Sequence, residues 1–567
     1  MIYTNITVTL PDIKNEQGFE VKDKGNGVRY LYYTKNSHRD KHGNLKHNRH
    51  SIGRIVTDEV TELDVLMPND KYYSFYAKTN PPAGATLRGV GRPKTKEEHG
   101  QPYQDHEVYA FGYMLSCYLL AHNLGLDDIL KQSFGTKVQK EIMAVASAMA
   151  SKNNYGLSMI EDFTQKHYCF TQLKLTSPRL SELYGEISEE SRKDFFSKWV
   201  EHNQHKKFVC YDVSSVSSYA KNITVIAWGY NRDKEKLPQF NLGLFCDMQS
   251  KLPLYYQAYN GSLNDFSNLP YVLDEAIPYG LTKQLTLVMD GGFCLEQNLE
   301  LIYEKGITAI MGAPLDFGVG IREQMVAWLT HDDVKVRENV LVYYSENFYY
   351  HETEVKINSK SLRLILFKSS ASRAREESSL ASLYTSIEQE LTDKSKISEK
   401  LAEKYSCYFD IDRKDDGSFT FEFNQSKYNE SLQLCGCFGL ITNNQKLKAV
   451  EILKLYREKN TVEESFASIK NDILGERMYV SKDTSLHGKL FIAFIALIIR
   501  KQFKKLLGDY VKKNRLNLDG CLMLLSDLKC VKRENRWFLQ NRPTKRQREL
   551  LECLKLDLSY IDGYSSL

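Results

Sequence analysis

Residues 456–470, YREKNTVEESFASIK, put four polar side chains on one stripe if the segment is helical throughout. At 100° per residue, Tyr456, Lys459, Glu463 and Lys470 fall within about 60° of one another. Leu455, Val462, Phe466, Ile469 and Ile473 make the adjoining apolar stripe. Glu463 therefore borders the buried face, and Glu464 points about 100° further round, toward solvent. A carboxylate on that border can meet acidic groups offered by a neighbouring sheet. Asp212 ends the apolar run FVCYD and Asp290 ends LTLVMD, and the C-terminal ends of buried strands are where a sheet opens into a crevice. Each residue has a plainer explanation. Asp before Gly is common where a strand turns, and Glu–Lys spacing supports an ordinary surface helix. What favours chemistry is the coincidence of strand-Asp, strand-Asp and helix-Glu in one α/β framework.

That framework is legible in the pattern of apolar residues. Residues 1–100 are polar, aromatic and basic with short strand candidates (VRYLYY, HSIGRIV), and 81–100 has a linker's Gly, Pro and charge content. Residues 101–205 take a helical period. From 206 to 314 the expected elements are KFVCYDVSSV, ITVIAWGY, FNLGLFCD and LPLYYQAY as an antiparallel meander, then LTLVMDGG, a helix LEQNLELIYEKG and a strand ITAIMGAP. Residues 315–430 interrupt this core with strands, a long charged helix and a hairpin. A strand in LQLCGCFGLIT and the helix bearing Glu463 resume it over 431–505. Residues 506–567 read as a basic helical tail.

Bulk properties narrow the class. At 567 residues the chain exceeds one core. Net charge is +4, but residues 500–548 carry fifteen Lys or Arg against four Asp or Glu, which suits a polyanionic partner. The eleven scattered cysteines give no disulfide framework and no zinc spacing. The start lacks a signal peptide's basic and apolar regions. The longest apolar run, LFIAFIALII (490–499), is about half a bilayer span and reads as a buried helix.

With those residues in hand, the sequence resembles the DDE transposases of bacterial insertion sequences, in particular a subgroup with the signature Y-x2-R-x3-E-x6-K. Tyr456, Glu463 and Lys470 match its spacing, while position 459 is Lys where the family has Arg, which keeps the charge and loses the bidentate fork. YDVSSV, LVMDGGFCLEQNLELIYEKGITAIMG, GLITNN and HGKLFIAFIALIIRKQF also resemble the family's segments. The resemblance implies an RNase H-like catalytic core of mixed α+β architecture, interrupted by a largely β insertion, with a helical region before it and a helical C-terminal tail. It implies an acidic triad of Asp212, Asp290 and Glu463, and phosphate contacts from Tyr456, Lys459 and Lys470.

Cutting a phosphodiester and joining the freed 3′ hydroxyl to another are both in-line displacements at phosphorus. Three carboxylates with open positions suit two Mg²⁺ ions, with Mn²⁺ able to substitute. The expected partners are double-stranded DNA, both transposon ends and target, and a second copy of the chain in a synaptic complex. No membrane is expected, and the setting is the bacterial cytoplasm and nucleoid. Residues 1–100 mix basic and aromatic side chains suited to DNA, and GRPK (91–94) resembles a minor-groove hook through Arg92 and Lys94. A transposase-derived DNA-binding protein that no longer cuts, or another RNase H-like nuclease, fits part of the same pattern. Metal-dependent nicking of end DNA separates the first of these.

Overall fold

The computed structural model describes residues 2–88 and 108–556, apart from 4–5, 14, 24–27, 41–42, 58–62, 84, 86, 153–155, 171–173, 204–206, 232, 265–267, 282–284, 319, 331–338, 358–359 and 534–535. Arg92 and Lys94 lie outside the described residues. The chain divides into two units, Met1–Asp105 and His106–Leu567.

In the first unit the basic-aromatic segment splits by polarity. Strand Arg29–Arg39 buries Leu31 at its start, against Ile52, Ile55 and Leu66 from strands Leu45–Thr57 and Asp64–Pro68. Phe19–Asp23 pairs with residues 29–33, and Asp64–Pro68 pairs with residues 53–57. Tyr33 packs against this core. Beyond residue 33 the two long strands pair, among the described residues, only with each other, as a ribbon that carries the basic residues.

The second unit is built on one mixed sheet. Its strands are β1 (Phe208–Ser217), β2 (Gln239–Asp247), β3 (Pro253–Asn260), β4 (Thr286–Met289), β5 (Thr308–Ala313), β6 (Val340–Tyr343), β7 (Glu346–Ile357), β8 (Lys360–Ser369) and β9 (Cys437–Thr442). They lie in the order β3-β2-β1-β4-β5-β9-β8-β7-β6. The pairs β1–β4 and β4–β5 are parallel, and the others are antiparallel. The parallel centre is where the sequence is apolar without alternation: β4 is buried at every position, as a strand covered on both faces must be.

Helices α1 (Leu126–Ala150), α2 (Ala449–Glu458), α3 (Asn460–Ala467) and α4 (Asp483–Asn514) matter most for the site. Residues 490–499 lie inside α4 and are buried throughout. The apolar run is enclosed by protein, including α1 and helix Ser177–Glu186, and among the described residues no helix is long and apolar enough to cross a membrane. Gly488 lets α4 cross the shorter helix at backbone distance, because a Cβ there would collide with the Tyr184 carbonyl. The helical segment before residue 205 packs into the same core as the sheet.

Four expectations differ from the structure. ITVIAWGY is not a strand: β2 is flanked by β1 and β3, so no edge is open to it, and Ala227 makes only an isolated bridge to Gln239. The insertion is not largely β. Its β6, β7 and β8 extend the core sheet through β9, and it also holds helices Ile321–Thr330, Ser370–Thr392, Glu399–Tyr405 and the start of Gln425–Leu434. The C-terminal tail is not wholly helical, since Lys529–Arg533 and Arg536–Leu539 form a hairpin that pairs with Val108–Ala110. Residues 456–470 are not one helix. The chain tightens at Lys459, where the Lys459 N–H reaches the Tyr456 carbonyl and the Val462 N–H reaches the Lys459 carbonyl, both three residues back. From Ser468 to Leu474 it widens into a π-turn.

Candidate active site

Parallel pairing of β1 with β4 gives the two aspartates the same offset from their shared ladder. Thr286 is opposite Phe208, Leu287 opposite Val209 and Val288 opposite Cys210. The ladder stops there, so Asp290, just past the end of β4, and Asp212, inside β1, each lie two residues beyond its last pair. The Asp212 Oδ1 accepts the Val213 N–H at 2.7 Å. Asp290 leaves its strand into a short 3₁₀ turn, Gly291–Phe293, and its side chain is 52% exposed.

Glu463 comes to this edge on α3, which packs across β1 and β2. Val462 and Phe466 are buried on the inner face of the helix, and Glu463 stands beside them with its carboxylate half exposed. Lys459 joins the two: its Nζ lies 2.9 Å from the Glu463 Oε1 and 3.4 Å from the Asp290 Oδ1. The Tyr456 hydroxyl donates to the same Asp290 oxygen at 3.2 Å. Burial alone would lower the Lys459 pKa, but the Glu463 hydrogen bond and the charges of Asp290 and Glu463 outweigh it and hold the ammonium above its ordinary value. Burial, followed by the Asp290 charge, raises the Tyr456 phenol. Both groups therefore stay protonated at neutral pH, so a cation and a neutral donor face two carboxylates.

Lys470 goes elsewhere. The π-turn carries it to Asp233, with Nζ 2.7 Å from Oδ2. Glu464 faces away from Asp290 and takes the Lys504 ammonium at 2.7 Å, in a cleft of about 550 Å³ that Arg457, Lys501 and Lys505 also line. Two contributors escaped the sequence reading. The Arg457 guanidinium lies over the Phe348 and Phe438 rings, at 5.3 and 5.1 Å, and fastens α2 to β7 and β9. Gly312 in β5 admits the tyrosine, since a Cβ there would lie 2.5 Å from the Tyr456 hydroxyl and 2.9 Å from the Gly291 N. Gly312→Ala is expected to cost about 1–3 kcal/mol by overpacking, read as a lower urea midpoint.

The donor set suits a hard divalent cation by type, being all carboxylate oxygen. The Lys459 ammonium between Asp290 and Glu463 marks the spot as one where positive charge is held. Asp212, Asp290 and Glu463 are not drawn to within 4.8 Å of one another; among the described residues, only His122, Asp127 and Asp128 form such a group.

Asp290 follows the end of β4, Asp212 lies in the middle of the adjacent parallel strand β1 rather than at its end as the sequence suggested, and Glu463 stands on the helix packed across β1. A family model described as Transposase DDE domain matches residues 204–499, more than half of the chain, and the chain belongs to this family of DDE transposases. Proteins of this family use divalent metal ions. Among solved structures, a cryo-EM structure of the piggyBac transposase synaptic complex with hairpin DNA aligns over 80% of this chain and 84% of that chain, at 10% identity and a TM-score of 0.34. That likeness is too weak to inform the fold. No curated protein matches the chain.

Proposed function

We propose that the chain is the transposase of a bacterial insertion sequence. It binds the terminal inverted repeats of the element as double-stranded DNA, cleaves at the ends and joins the 3′ hydroxyls to target DNA. The observation that carries this reading is the coupling of Glu463 to Asp290 through one ammonium, beside the parallel strand that bears Asp212. The order β3-β2-β1-β4-β5 supports an RNase H-like core. Three of the four signature positions, with Lys459 in place of Arg, support the insertion-sequence subgroup.

In this reading Asp212, Asp290 and Glu463 would hold two divalent ions, Mg²⁺ or Mn²⁺. When bound, such ions activate an attacking oxygen and stabilise a leaving one. The protein's own groups orient the DNA. Tyr456 and Lys459 turn their donors from Asp290 and Glu463 toward phosphate oxygens, and Lys470 exchanges Asp233 for the backbone near the cleaved end. A second copy of the chain holds the other end in a synaptic homodimer, in the bacterial cytoplasm at the nucleoid. The test is strand transfer. Purified chain, Mg²⁺, a precleaved duplex bearing the inverted repeat that flanks the coding region, and a target plasmid should yield a covalent end–plasmid product. Absence of joining with either Mg²⁺ or Mn²⁺ contradicts the reading.

A further inference from the structure

The ribbon of the first unit separates two jobs that the sequence mixes. Residues 35–39 and 43–49 are all exposed, and among the described residues no third strand pairs with this part of the hairpin. Among the described residues the exposed part bears no Phe, Tyr or Trp; its only rings are the imidazoles of His38 and His47, and His47 is hydrogen-bonded to Ser37. The row of large aromatic rings that usually holds single strands is therefore missing here.

Its two faces differ. Asn36 is opposite Asn48 and His38 opposite Lys46, and alternation along each strand puts these four on one face. Ser37 is opposite His47 and Arg39 opposite Leu45 on the other. The second face is occupied with itself: Ser37 and His47 are hydrogen-bonded at 2.6 Å, and the Arg39 Nη1 donates to the Gly43 carbonyl at 2.8 Å. On the first face the side chains of Asn36, Asn48 and His38 make no hydrogen bond among the described residues, and Lys46 has only a 3.7 Å pairing with Asp40. Positive charge flanks this face at Lys35, which lies 4.2 Å from the Phe75 ring centroid, and at Arg49, which is tied to Glu20.

An antiparallel two-stranded ribbon is of a size that the major groove admits, and side-chain amides pair bidentately with the adenine N6 and N7 there. We propose that this ribbon enters the major groove of double-stranded DNA and that Asn36 and Asn48 read adenine edges, with His38 and Lys46 beside them. The inference rests on the reading of the chain as a protein that acts on double-stranded DNA. It adds which element reads sequence and from which groove.

The test uses the full chain and a pool of duplexes with a randomised centre, selected by binding without Mg²⁺. Wild type should enrich an adenine-containing motif. The Asn36→Ala/Asn48→Ala chain should lose tenfold or more of the preference for that motif over random duplex, while its affinity for random duplex stays within about twofold. Replacing the motif's adenines by 7-deazaadenine, which lacks the N7 acceptor, should weaken wild type and leave the double variant unchanged. The inference is overturned if wild type enriches no motif, if the double variant retains the preference, or if 7-deazaadenine has no effect. Selection needs no cleavage. A Glu463→Gln chain that enriches the wild-type motif therefore keeps this inference standing even where the strand-transfer assay fails.

Discussion

Glu463→Gln will cleave end DNA about a thousandfold more slowly than wild type, a loss of about 4 kcal/mol in transition-state stabilisation, and Glu464→Gln will stay within about twofold. The two residues are neighbours in sequence and equal in chemistry, so the contrast isolates position. Glu463 shares the Lys459 ammonium with Asp290, at the strand ends. Glu464 is turned to Lys504 on α4, and its pKa is lowered there because the lysine bond and the charges of Lys504 and Lys501 outweigh the burial that would raise it. The amide keeps the size of the Glu463 side chain and removes a negative charge, so DNA binding should be kept or slightly strengthened. Single-turnover cleavage and gel-shift titration read the two effects separately. Equal losses in both variants would show that the helix matters and the carboxylate at 463 does not.

Arg500→Ala will lower folding stability by about 3 kcal/mol, seen as a lower denaturant midpoint, and will do so without DNA present. The expectation of a basic tail tracking phosphates from residue 500 does not hold for this residue. Its side chain is 7% exposed; Nε donates to Asp472 at 3.0 Å, Nη2 to Asp519 at 2.8 Å and Nη1 to the Ala150 carbonyl at 2.9 Å. It therefore ties three pieces together: the π-turn after α3, the end of α1, and helix Leu518–Ser526. Truncation strands two partly buried carboxylates and one carbonyl, and among the described residues only Lys152, 3.5 Å from each carboxylate, remains to offset them. A surface phosphate-binding arginine would instead show an unchanged midpoint and a shallower salt dependence of DNA binding.

These cases show what a sequence can carry. β4, β5 and the helix between them were legible because a fully buried strand is apolar at consecutive positions and a helix stop needs glycine, here Gly306 at φ 65°. The helical phase that singled out Glu463 was legible because Lys459 and Glu463 are one turn apart and a local tightening barely alters that spacing. Lys470 lies within the π-turn, and an added residue per turn is invisible in apolar periodicity, so its partner Asp233 could not be foreseen. The antiparallel seating of β9 between β5 and β8 depends on contacts distant in sequence, such as Met311–Ile441 and Phe367–Phe438 across the insertion. Gly312 and Arg457 act through a close approach and a ring contact, neither of which leaves a pattern along the chain.

The central claim is that Asp212, Asp290 and Glu463 together cut DNA with divalent metal. Its most direct test is cleavage of a duplex bearing the element's end by wild type and by Asp290→Asn, each in Mg²⁺ and in EDTA. Wild type with Mg²⁺ should nick at the end, and the other three reactions should leave the duplex intact. Equal nicking by Asp290→Asn, or nicking that persists in EDTA, would contradict the account.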